Sequence, residues 1–500
     1  MKSTLSRRRV LGGMAATAAT TVVGWSAASQ SWATEADVAR GVKPTPVPAL
    51  DGTLTTAAAD LERFKHDFGR LKNSAPWAVL RPGSDQDIVK IVNYARANKL
   101  KIAVNGQGGT GNDQESHSVY GQAAVPTGGI SIDARAMSKI LSINDTNAEV
   151  QAGVTWGQLT DAAIAKGKTP PALPDYLHLS IGGTISIGGI GGTVQKYGLL
   201  CDNVHSLDVV TGTGELVKGL SASNRPDLFN AVLSGGGQVA VILRAKVKLV
   251  AAPQRSVVFS LFYDDLATYL GDAEKVMADN RFEVQAGEML RDAGNTRWRY
   301  KMEVAANYSG TTVPDRAKLL AGLRDVRAEA VIEDVSYRDY MFRLDGYETY
   351  LKESGHWFQP KPWLSLFLPA SKTRQFMQAV EKELNADSLG GGFLLFYPYL
   401  TSKVKRPLAV QPNESVGYLF DLLRFPNPGD TTIPKMLEQN RRLYDLAVAL
   451  GAKRYLVGAI PGMTPAQWKT HFGSRWDAFN NAKHKYDPAN ILTPGQGFFG

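Results

Sequence analysis

Two glycine clusters and one histidine carry the first chemical signals in this chain. Asn105-Gly106-Gln107-Gly108-Gly109 forms one cluster, and the run Ser180 to Gly192 (SIGGTISIGGIGG) holds six glycines and no charge. A glycine loop presents backbone N–H groups that no side chain screens, which suits an anionic phosphate. Every glycine costs backbone entropy, so the second run predicts close approach to a large flat or phosphorylated ligand better than it predicts a tight turn. The first loop lacks the Lys-Ser/Thr of a P-loop and no helix follows promptly, so alone it reads equally as an ordinary connection. His117 lies in Ser116-His117-Ser118-Val119-Tyr120-Gly121-Gln122, among small and turn-forming residues with no strand or helix rhythm. Alone it would read as a solvated loop histidine. The other histidines (His66, His178, His205, His356, His471 and His484) show no metal-ligand spacing, so no metal is expected. Cys201 is the single cysteine, which excludes an internal disulfide and reads as a small buried residue.

These residues need elements to hold them. Ala78 to Leu80 reads as a strand that stops at Arg81-Pro82-Gly83. Ser84, with Asp87 three residues on, opens a helix whose Ile88, Ile91, Val92 and Ala95 recur at helical spacing. Lys101 to Val104 is a second strand, which delivers the first glycine loop. Val204 to Thr211 predicts a strand turning at Gly212-Thr213-Gly214-Glu215 into Leu216-Val217, and Gln238 to Val250 is β-rich. After Ala251-Ala252-Pro253 glycines thin out and longer amphipathic helices begin, which marks a domain boundary.

The bulk numbers agree with two domains, because 500 residues exceed the size at which one core keeps growing. Ser6-Arg7-Arg8-Arg9-Val10-Leu11 resembles a twin-arginine export signal, followed by a mildly apolar stretch and a small-residue cleavage site at Ser31-Trp32-Ala33. The apolar stretch is too short and too rich in Ala and Thr to span a membrane. Residues 1–33 are therefore expected to be an export leader, with a periplasmic or secreted product and no stable membrane anchor. Losing Lys2, Arg7, Arg8 and Arg9 and no acid lowers the formal charge from +9 to +5. With no basic run interleaved with aromatics, nucleic-acid binding is not expected.

His117 to Gln122, followed by Gly128-Gly129-Ile130-Ser131-Ile132-Asp133, resembles a segment of the cytokinin dehydrogenases, flavoproteins of the vanillyl-alcohol oxidase type (PCMH-type FAD-binding). The resemblance continues through Pro174-Asp175-Tyr176-Leu177-His178-Leu179 into Gly182-Gly183-Thr184, then Leu207 to Gly212, Lys361 to Pro369, and Tyr486-Asp487-Pro488 with Ile491 to Gln496. It implies an α+β fold of two domains: an FAD-binding domain at 34–252 and 460–500, and a substrate cap at 253–459 built on an antiparallel sheet flanked by helices. FAD is the implied cofactor, with contacts at Gly106, Gln107, Gly108, Ser118, Gln122, Asp175, Ser180, Ser186, Ile190, Ile242, Thr493 and Gln496. His117 falls on the position of the covalent flavin link. Asp175 falls on the catalytic position, where a carboxylate accepts the substrate N–H proton as hydride passes to flavin N5. Locally Asp175 also reads as a turn-capping acid after proline. Pro171, Ala172, Leu173 and Pro174 set it in apolar company, a setting that raises a carboxyl pKa.

Three departures stand out. Gly109 to Ser116 separates the first glycine loop from His117, where the family keeps them adjacent. Ala286 stands where the family has the glutamate that holds the substrate adenine, leaving Glu283 and Glu288 as possible substitutes. Ala459 replaces a family aromatic near the flavin. Loss of a buried polar anchor predicts a changed substrate preference. The expected activity is oxidation of a C–H next to nitrogen in a small amine, in the manner of N6-alkyl adenine cleavage, with oxygen or a quinone-like molecule as acceptor. An alcohol or sugar oxidase on the same scaffold and a non-catalytic flavin carrier are the alternatives.

Overall fold

The computed structural model describes residues 22–124, 128–292 and 294–500, so Arg7 to Arg9 of the leader lie outside the described residues. The strand Ala78–Arg81 leads into the helix Asp85–Ala97, and Ser84 Oγ accepts from Asp87 N. Asp87 does not reach back to its own cap. Its carboxylate accepts from the N–H groups of Asp51, Gly52 and Gly83, fixing the chain on both sides of the helix start. Lys101–Asn105 does not pair with Ala78–Arg81; Gly129–Asp133 lies between them, parallel to both. The glycine loop thus leaves the edge of a four-stranded sheet, where it is free to meet another layer.

That layer is a five-stranded antiparallel sheet containing the expected Val204–Thr211 and Leu216–Leu220 hairpin and the long strand Ala240–Lys248. The C-terminal tail closes this half of the molecule: Ile102 N donates to Ile491 O, and Thr493 N donates to Ile102 O. The run 180–192 gives no helical signal, yet Ile181–Ile187 is a helix ended by Gly188 and Gly189 at positive φ. Tertiary packing selects it. A Cβ on Gly182 would lie 2.7 Å from Ala152 Cβ, so glycine lets the helix press against its neighbour.

Strands from Arg255–Tyr263 to Lys453–Gly458 form an eight-stranded antiparallel sheet. Its period of two separates two environments. Tyr300, Met302, Val304 and Ala306 face a core shared with the helices Leu266–Asp279, Ala370–Glu383 and Ile433–Ala449. Lys301 and Glu303 face the other way, toward a cavity against the glycine helix.

Val22–Ser26 and Ser31–Thr34 are strands of a three-stranded sheet, and buried Trp25 stacks on Trp77 at 4.7 Å. A cut before Thr34 would strip both strands from this surface. Among the described residues no helix is long and apolar enough to cross a membrane.

Candidate active site

A cavity of about 790 Å³ lies between the eight-stranded sheet and the glycine-rich half. Its lining includes Gly106, Gln107, His117, Ser118, Gln122, Asp175, Ser180, Ser186, Ile190, Ile242, Thr493 and Gln496, residues spread over almost 400 positions of chain. The half of the chain that carries the eight-stranded sheet, here called the cap, contributes Ala286, Glu288, Lys301, Glu303, Arg343 and Asp421. Gly108 sits one layer behind, against His117. Glu283 does not line the cavity. It accepts from Asn307 N at 2.8 Å and pairs with Lys196 at 3.3 Å, so of the two glutamates flanking Ala286 only Glu288 reaches the site.

The segment 109–116 leaves the glycine loop and His117 in contact. Gly108 and Glu115 exchange both backbone hydrogen bonds, so the six residues 109–114 between them bulge outward. A Cβ on Gly108 would lie 2.4 Å from His117 Cβ. The bulge also reaches the cap: Thr110 N and Oγ1 both donate to Glu348 Oε1 at 2.8 Å, and Tyr176 OH donates to Glu348 Oε2.

His117 is held by rings. Phe68 stacks on it at 4.1 Å, and the buried Lys361 ammonium lies 4.2 Å from the centre of the Phe68 ring. Burial first, and the Lys361 charge second, push the imidazole down to about 3, so the ring is neutral. Asp67 fixes the loop that carries it, accepting from Ser118 Oγ, Gly121 N and Gln122 N. His117 Nδ1 is buried and has no hydrogen-bond partner among the described residues.

That orphaned nitrogen beside a glycine-walled cavity fits a flavin. Three hydroxyl protons of the wall are already committed: Ser186 Oγ donates to Gly182 O, Ser118 Oγ to Asp67 and Thr493 Oγ1 to Gly237 O. The main donors for a pyrophosphate would be backbone N–H groups, which the glycines leave open. A Cβ on Gly106 would fall 2.2 Å from Ser180 Oγ, so no larger residue keeps this wall closed up.

Asp175 is not in apolar company. Arg343 Nη2 donates to its Oδ1 at 2.7 Å, which corrects the environment expected from its sequence neighbours. Arg343 Nε lies 3.1 Å from Glu303 Oε1, and Lys301 bridges on to Glu288 at 2.9 Å. Asp421 is a buried acid of the same cavity, accepting from Ser365 Oγ. Burial drives its carboxyl up to about 7, against that hydrogen bond and with help from the Asp175 charge. Tyr397 adds a buried hydroxyl without a partner among the described residues. Sequence reasoning missed Arg343, Lys301, Glu303 and Asp421; only the lone acid in the apolar run Val416–Leu423 was a signal in the chain itself.

Comparisons with known proteins agree with this geometry. Residues 76–219 match a family described as FAD binding domain, and residues 276–499 match cytokinin dehydrogenase 1, FAD and cytokinin binding. The chain is 35% identical over 445 residues to an uncharacterized oxidoreductase, ORF5 in the fasciation locus, of Rhodococcoides fascians, covering 89% of this chain and 97% of that one. It is 31% identical to cytokinin dehydrogenase 2 of Arabidopsis thaliana, covering 92% and 96%. The structure resembles 6-hydroxy-D-nicotine oxidase from Arthrobacter nicotinovorans with a TM-score of 0.66 at 20% identity, covering 89% and 97%, a likeness of fold.

Proposed function

Because the chain belongs to the cytokinin dehydrogenase family of FAD-dependent oxidoreductases, with the vanillyl-alcohol oxidase fold, we propose that it oxidises the C–H next to nitrogen in a small N-alkyl amine. N6-alkyl adenines are the nearest substrate class. We also propose that His117 tethers the cofactor and that the twin-arginine leader exports the protein. FAD bound in the cavity supplies the hydride acceptor. The chain's own residues do the rest. Asp175 takes the substrate N–H proton as the C–H hydride departs, leaving an imine that water cleaves to amine and aldehyde. The glycine helix and the Gly106 loop hold the phosphates, and burial and the Lys361 charge keep His117 neutral, the form in which a ring nitrogen can bond carbon.

The observation that carries this reading is the presence of His117 and Asp175 on one cavity, between glycine walls and a polar cap. Two measurements test it. Acid-precipitated protein retains its yellow colour if the tether exists; complete release of flavin refutes the tether. Anaerobic isopentenyladenine bleaches the flavin faster than vanillyl alcohol or simple sugars do. Bleaching by an alcohol or sugar, with none by any amine, overturns the amine reading. For export, Arg8→Lys with Arg9→Lys leaves the protein in the cytoplasm; an unchanged periplasmic fraction refutes that route.

A further inference from the structure

We propose that Arg343 is the positioning residue of Asp175, and that Glu303 is the counter-ion that keeps Arg343 paired when Asp175 is protonated. The inference rests on Asp175 being the proton acceptor. Arg343 follows the short helix Tyr337–Met341 and projects into the cavity wall. Its guanidinium is fixed independently of Asp175: Nη1 donates to Tyr340 O, the group lies 4.7 Å over the Tyr340 ring, and Nε faces Glu303 at 3.1 Å. Tyr340 OH donates to the same Glu303 oxygen at 3.2 Å. A fork held on three sides presents Nη2 to Asp175 Oδ1 in one geometry. Among the described residues no side chain donates to Oδ2, which is the oxygen left for the substrate N–H.

Glu303 explains how the site tolerates proton transfer. When Asp175 takes the proton its charge is lost, and a half-buried guanidinium with no other anionic partner would be left uncompensated, a costly state. Glu303 remains, so the cation stays neutralised on both sides of the step. Its place is set by strand register: Glu303 lies directly across from Ala286. The small side chain at 286 leaves the wall open for the Glu303–Arg343 pair.

The two residues push the acid limb of the reaction in opposite directions. Removing the Arg343 charge makes the Asp175 anion harder to form, whereas removing the Glu303 charge leaves Arg343 undivided and makes it easier to form. Arg343→Gln is expected to slow anaerobic bleaching at pH 7 about 100-fold and move its acid limb up by about one pH unit. Arg343→Lys recovers about tenfold of that loss, because charge returns without the fork. Glu303→Gln slows the limiting rate about tenfold and moves the limb downward. Flavin content and adenine affinity stay within about twofold of wild type in all three, since positioning acts on the proton step and not on ground-state binding.

A substrate-free readout separates this proposal from the amine reading. The visible spectrum of the oxidised flavin is titrated in wild type, and the step that Asp175→Asn removes is assigned to Asp175. Arg343→Gln raises the midpoint of that step and Glu303→Gln lowers it, whether or not any amine is turned over. If Arg343→Gln fails to fold, Arg343→Lys and Glu303→Gln decide alone. An unmoved midpoint, or two shifts of the same sign, overturns the proposal. A wild type that no amine bleaches, with opposite shifts intact, overturns only the amine reading.

Discussion

Replacing Asp421 with Asn should stabilise the protein at high pH and leave it unchanged at low pH. Asp421 lies on the strand Val416–Leu423, 8% exposed, with Ser365 Oγ donating to it. Burial raises its carboxyl from the ordinary 3.8 to about 7. A folded pKa above the unfolded one means that the native state keeps a proton the unfolded state has released between those values. The stabilising proton is fully effective below pH 4 and is lost as pH rises through 7. A shift of about three units corresponds to about 4 kcal/mol at 1.36 kcal/mol per unit, a ceiling that water entering the cavity lowers. Asn has the same shape, still accepts from Ser365 and never ionises. The stability of Asp421→Asn minus that of wild type should therefore be within about 0.5 kcal/mol at pH 3.5, grow as pH rises from 4 to 7, and level off at about 2 kcal/mol or more by pH 9. Asp67, raised by burial, and His117 and His471, lowered by it, titrate alike in both proteins and cancel in the difference. Urea midpoints at half-unit pH intervals, with flavin content held equal, measure it. A difference independent of pH, or one that grows toward acid, refutes the reasoning.

Three further outcomes follow from packing. Gly108→Ala would place a methyl 2.5 Å from His117 Nδ1, so acid-stable flavin should fall severalfold, whereas Gly346→Ala, with open space around it, should leave it unchanged. Thr110→Val removes the hydroxyl donor to buried Glu348 and should cost about 1–2 kcal/mol in a urea melt; equal midpoints would show that the bulge does not latch onto the cap. In the unprocessed chain Trp25→Ala should cost about 3 kcal/mol by emptying the stack on Trp77, and an unshifted midpoint would refute docking of residues 22–34.

The sequence exposed what is local. Strands at 78–81, 101–105 and 204–211 follow from period-two patterning and turn residues, and the helix after Ser84 from its cap and spacing. The helix Ile181–Ile187 was hidden because glycine and β-branched residues disfavour helix, and tertiary packing, including the contact with Ala152, overrides them. The environment of Asp175 was misread for a related reason. Its chain neighbours are prolines and leucine, but its decisive neighbour, Arg343, is 168 residues away. Glu303 was invisible because its role depends on pairing across from Ala286, a register fixed by the whole sheet. The insertion at 109–116 looked like a disruption of the cradle; a single reciprocal pair of backbone bonds at its base makes it an outward excursion.

The C-terminal tail closing beside Ile102 sets an order of assembly. Thr493 and Gln496 line the same cavity as Gly106, so the walls that would grip the phosphates come from segments almost 400 positions apart. A nascent polypeptide cannot complete that wall until residue 496 has left the ribosome. Closure of the cavity therefore waits on synthesis of both of its distant halves.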